Sequence, residues 1–96
     1  MIKPTNGRIV WFTPGEYDGD LYPIWVKYGP TPWAAQVCWV WGDQCVNLLV
    51  TAPDGSTYKR TSVFLRQDGA AVSDVQQYAE WMPYQVGQAK KHEAEK

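Results

Sequence analysis

No run of about 18 apolar residues occurs in this 96-residue chain, and the opening MIKPTNGRIVWF holds no apolar stretch of signal-peptide length. Neither a membrane span nor an export signal is expected, so the chain reads as a soluble cytoplasmic product. A basic stripe is also missing. Nine Lys and Arg face ten Asp and Glu for a formal charge of -1, and the one dense charge run, AKKHEAEK, mixes both signs. Neutralising many phosphates takes a basic face, which argues against duplex DNA or RNA as a partner. Histidine, the usual general base, occurs once, at His92. No Ser or Cys stands in a nucleophile-elbow context and no phosphate-cradling glycine loop is present, so an enzyme is the least supported class and no cofactor is implied. Two cysteines and one histidine do not complete a tetrahedral zinc site. Glu16, Asp18 and Asp20 cluster without the ligand spacing of an EF-hand, and read as a solvated acidic loop. Coiled-coil heptads and repeats are absent as well, which removes fibre-like roles.

What the chain does have is apolar and aromatic: 45% and 15% of its residues. That is enough to fold, and 96 residues suit one core, because separate domains need roughly 50 residues or more each. Turn signals recur at Pro14-Gly15, Asp18-Gly19-Asp20, Gly29-Pro30, Gly42-Asp43, Pro53-Asp54-Gly55-Ser56 and Asp68-Gly69. Between them, β-branched and aromatic runs predict five strands: Arg8 to Thr13, Ala35 to Trp41, Gln44 to Thr51, Thr57 to Leu65 and Tyr78 to Met82. Five short strands close readily into a barrel, because closure removes exposed edges. The expected fold is all-β: a small SH3-like or OB-like five-stranded barrel over residues 1–86, with a long aromatic loop and a short, flexible, polar tail over 87–96.

The hairpin VCWVWGDQCVNLLV can be worked out in register. A two-residue turn at Gly42-Asp43 pairs Trp41 with Gln44, Val40 with Cys45, Trp39 with Val46 and Cys38 with Asn47. One face then collects Ala35, Val37, Trp39, Trp41, Val46, Leu48 and Val50 as core, with Trp41 reaching the barrel mouth, its indole N–H free. A turn longer by one residue would set Cys45 and Asn47 beside the tryptophans, and is rejected on that ground. Cys38 and Cys45 fall on diagonal positions about 7 to 8 Å apart. Disulfides prefer about 4.4 to 6.8 Å, so two free thiols are expected.

Two further stretches hold more aromatic surface than so small a core accommodates. EYDGDLYPIWVKYGPTPW, Glu16 to Trp33, carries Tyr17, Tyr22, Trp25, Tyr28 and Trp33 and is stiffened by prolines; its plainest local reading makes Leu21 to Tyr28 another strand. In YAEWMPYQVGQ, Glu80 reads as an exposed strand residue, and Trp81 and Tyr84 flank Pro83 as a shelf able to stack planar groups or grip an extended peptide. Arg8, Arg60 and Arg66 on strands or strand ends offer a fork for one phosphate. The candidate binding residues are therefore Arg8, Trp25, Trp41, Arg60, Trp81 and Tyr84.

GRIVWF, AAQVCWVWGDQCVNLLV, DGS, RTSV and AEWMPYQVGQAKK together resemble a family of small proteins encoded by tailed bacteriophages and prophages. The likeness spans Gly7 to Lys91 and is most specific in EWMPYQ, VNL and TSV. The Glu16 to Trp33 loop and the TAPDG turn depart from it. The resemblance implies phage origin and a compact β fold, and supplies no catalytic residue. By class, it implies an accessory factor in the host cytoplasm. Three readings follow. A counter-defence module sequesters a small nucleotide signal between Trp41, Trp81, Tyr84 and Arg8 or Arg60 at a subunit interface of a homo-oligomer. Alternatively, the same aromatic surface, with the Tyr17 to Trp33 loop, blocks a host protein, or the chain is a minor structural or assembly component of the particle.

Overall fold

The described residues form five strands and two helices: β1 (Ile9–Thr13), α1 (Tyr22–Lys27), β2 (Trp33–Gly42), β3 (Cys45–Thr51), β4 (Thr57–Arg66), β5 (Tyr78–Glu80) and α2 (Pro83–Ala94). The computed structural model describes residues 1–73 and 75–94, with side chains as far as residue 91. The expectations for the His92 side chain lie outside the described side chains. Among the described residues, no helix is long and apolar enough to cross a membrane.

The strands follow in chain order around a closed barrel, the five-stranded all-β architecture that the turn spacing predicts. Closure of an odd number of strands forces one neighbouring pair to run in the same direction. Here that pair is β4 and β5, while β1 closes antiparallel on β5. A parallel pair cannot be joined by a tight turn. The connection from residue 67 to 77 supplies the crossover, turning at Asp68 and Gly69 with positive φ.

Alternation along the strands fills the interior. Val10 and Phe12 of β1, Ala35 and Val37 of β2, Val46, Leu48 and Val50 of β3, Val63 and Leu65 of β4 and Ala79 of β5 are buried, with Trp33, Leu21 and Trp81 closing the core. Among the described residues, Gln67 is the buried polar one. Its carboxamide accepts from the Ile2 N–H at 2.7 Å and donates to the carbonyls of Ile2 and Asp43, at 2.8 and 2.7 Å. That satisfies the buried amide while tying the N-terminal segment and the β2–β3 turn to one end of the barrel.

Three local expectations change. Leu21 to Tyr28 holds the helix α1, not a strand. The Asp18 carboxylate accepts the N–H groups of Asp20 and Leu21, each at 3.1 Å, and the Asp18 carbonyl accepts that of Tyr22 at 2.9 Å. These contacts turn the chain into a helix with Pro23 in its first turn, where a missing N–H costs nothing. Second, the strand that begins at Tyr78 ends at Glu80, and Pro83 opens α2 instead of leading out of a strand. The Gln85 side chain accepts the Met82 N–H at 2.8 Å and donates to the Ile9 carbonyl at 2.9 Å, which caps the helix and fastens it to β1. The sequence boundary at 86/87 falls inside this helix. Third, the hairpin register slips, with consequences described below.

The crossover lies close against the start of the first loop. A Cβ on Gly15 would stand 2.9 Å from the Val75 carbonyl oxygen and 3.0 Å from the Gln77 nitrogen, both backbone atoms. Gly15→Ala is therefore expected to lower stability by about 1 to 3 kcal/mol, the cost of overpacking a tight contact, in a denaturant melt.

Candidate functional site

Hairpin pairing follows the expected register only at its base, where Ala35, Gln36 and Val37 face Val50, Leu49 and Leu48. Beyond Val37 the partners become Trp39 with Asn47 and Val40 with Val46, and then Gly42 with Cys45. Cys38 and Trp41 are the two extra residues, each at a β-bulge, and the turn sits on Asp43-Gln44. A bulge resets the inside–outside alternation of the strand that carries it. Trp39 and Trp41, expected in the core, accordingly lie outside, 52% and 64% exposed.

The two indoles pack edge to face, with ring centroids 6.3 Å apart. The Trp41 N–H is not free: it donates to the Asn47 Oδ1 at 2.9 Å. Asn47 stands beside the tryptophans, as the rejected longer turn would have placed it, but the two bulges bring it there while the turn keeps two residues, and the rings face outward. The same outer face carries Leu49 opposite Gln36, and Gln36 lies opposite Ile9 of β1. Leu49 and Ile9 are both exposed, so apolar side chains stand on this face on either side of the exposed Gln36. Cys38 and Cys45 are free thiols.

The other candidate residues scatter. Arg60 is already occupied: its Nε and Nη2 donate to the two carboxylate oxygens of Asp18 at 2.9 and 3.0 Å, and Nη1 donates to the Lys59 carbonyl. Asp20 adds a looser contact at 3.8 Å. With side-chain exposures of 19% and 14%, Arg60 and Asp18 form a bidentate clamp holding the α1 loop on β4. The phosphate fork expected at Arg60 is thus closed, and the acidic loop expected to be solvated is pinned. Burial raises the Asp18 pKa, but the hydrogen bonds and charge of Arg60, with the Leu21 and Asp20 N–H groups, outweigh it, and the carboxyl titrates below its ordinary range.

Trp81 is 5% exposed, so it forms core and not a shelf, while Tyr84, on α2, is 70% exposed. β5 ends before Trp81, which lets the ring fold under the barrel end. Arg8 does meet Trp81, its guanidinium 5.1 Å from the ring centroid, so these two candidates come together as a cation–π contact. Trp25 is half-buried on α1 beside Tyr22, ring centroids 5.7 Å apart, with its N–H donated to the Thr31 carbonyl at 2.9 Å. Of the five rings in the long loop only Trp33 is fully buried, as the limited core volume requires. Glu80, expected exposed, is half-buried and 3.8 Å from Arg66.

Two clefts open on the surface. One, about 650 Å³, runs between the barrel end and α2, past Trp81, Arg66, Glu80, Val86 and Lys90. The other, about 280 Å³, is lined by Tyr22, Trp25 and Tyr78 with Pro14 and Gln76. Among the described residues neither is lined by Arg8, Trp41, Arg60 or Tyr84, so within one chain Trp41, Trp81, Tyr84 and an arginine do not line a common cleft.

Sequence reasoning missed Trp39 and Asn47. The volume argument applied to the loop rings holds equally for the hairpin: a core filled by Phe12, Leu48, Leu65 and the valines leaves no room for two more indoles. Asn47 within VNLLV was a second signal, since asparagine is depleted in strands and is kept there when its amide is used. In comparisons with family models, characterised proteins and solved structures, the chain matched none.

Proposed function

We propose that the chain is a non-enzymatic binding module of bacteriophage origin, acting in the host cytoplasm, whose Trp39–Trp41 face holds and blocks a host protein. The observation that carries this reading is the exposed, mutually packed indole pair on a face that Leu49 and Ile9 extend. A buried aromatic is used by the core, whereas two ordered tryptophans in water find their use at an interface, where a few Trp, Tyr and Arg anchors carry much of the binding energy. Sequestering a small nucleotide is less supported, because Arg60 is paired with Asp18 and Trp81 is enclosed.

The test uses the intrinsic fluorescence of the six tryptophans. Titration with mononucleotides and cyclic dinucleotides is expected to leave it unchanged. Immobilised protein is expected to retain one stoichiometric host protein from bacterial lysate, and Trp39→Ser/Trp41→Ser to lose it while melting within a few degrees of the wild type, as exposed substitutions do. Saturable nucleotide quenching abolished by Trp41→Ser would overturn the reading in favour of ligand sequestration.

A further inference from the structure

Asn47 stands where three irregularities meet. On its β2 side, the bulges at Cys38 and Trp41 flank the pair Trp39–Asn47. On its β4 side, pairing passes from Val46–Val63 to Leu48–Arg60, so that Thr61 and Ser62 together face the single residue Asn47. Ser62 has φ of 52°, the left-handed region that costs a non-glycine residue energy. Its N–H is turned to the Asn47 Oδ1 at 2.9 Å, and the same oxygen accepts the Trp41 indole N–H at 2.9 Å. A carbonyl oxygen has two lone pairs, and both are used.

We propose that Asn47 is the positioning residue of the tryptophan face, its one carboxamide oxygen holding the strained Ser62 backbone and the Trp41 ring together so that Trp39 and Trp41 stay locked edge to face. The inference rests on that face being the working surface. Its consequence for binding is preorganisation: a ring already held in place loses less rotamer freedom when a partner covers it. Asparagine in mid-strand is locally unfavourable, and a residue that breaks a local rule is expected where function requires it.

The test reads the rings directly. Two packed indoles give an exciton couplet in far-ultraviolet circular dichroism, and Trp39→Phe marks the signal in its absence. Asn47→Leu is expected to remove the couplet and to speed exchange of the Trp41 indole proton about 5-fold, the loss of one hydrogen bond. Asn47→Asp keeps an acceptor oxygen and should retain both. Because Asn47→Leu also removes the bond that offsets the strained Ser62 backbone, the double variant Asn47→Leu/Ser62→Gly is included: glycine accepts positive φ and relieves that strain, so part of the lost melting temperature should recover while the couplet stays absent. A couplet that survives Asn47→Leu, or returns with Ser62→Gly, would overturn the proposal. An Asn47-dependent couplet with no retained host protein would sink the function and leave Asn47 as the positioning residue; the converse result would do the reverse.

Discussion

Phe12→Ala is expected to lower the melting temperature by about 15 to 30 °C, enough to leave a marginally stable domain of this size partly unfolded near ambient temperature. Phe12 is fully buried near the C-terminal end of β1, paired with Trp33 on one side and Ala79 on the other. β1 joins β2 to β5 and so closes the barrel. Truncation there removes transfer free energy and leaves a cavity under the closing strand, together about 3 to 5 kcal/mol. Trp39→Ser/Trp41→Ser removes still more ring area yet is expected to shift the melt by only a few degrees, because more than half of that area is in water already. The comparison separates aromatic residues that hold the fold from those that it displays. Equal losses for the two variants would mean that the tryptophans are core.

The second large effect concerns the Arg60–Asp18 clamp. Arg60→Ala leaves the Asp18 carboxylate, 14% exposed, without its bidentate donor, and is expected to cost about 2 kcal/mol and to loosen α1. The effect depends on pH with a definite sign. Asp18 has a lower pKa folded than unfolded, so its contribution is complete above the unfolded value of about 3.9 and is lost as pH falls through the folded one. The gap in stability between wild type and Arg60→Ala should therefore stay constant from pH 7 to about 5 and close as pH drops below about 4. Chemical denaturation at a series of pH values measures it. A gap that is unchanged in acid would mean that Arg60 stabilises β4 by packing alone.

Strands and barrel closure were legible in the sequence because they depend on local chemistry: β-branched runs, turn residues and alternation. Val10, Phe12, Val63 and Leu65 announce their burial by parity alone. What was illegible arises between segments. A strand and a helix compete for YPIWVK on nearly equal local terms, and the helix is selected by Asp18, itself held by a residue 42 positions away. The β2 bulges are likewise invisible to periodicity, because one extra residue inverts every later assignment. Gln85 reaching back to Met82 explains why Pro83 starts an element that the sequence suggested it would end. The candidate site suffered most from this, since the face of the hairpin on which Trp39 and Trp41 lie is decided by a single-residue slip.

The measurement that tests the central claim most directly is native mass spectrometry of wild-type protein and Trp39→Ser/Trp41→Ser, each purified gently from host lysate. The account predicts a wild-type complex with one host protein in fixed ratio, and bare chain in the double variant. A wild-type spectrum with a few hundred daltons of bound small molecule, or of a homo-oligomer and nothing else, would contradict it.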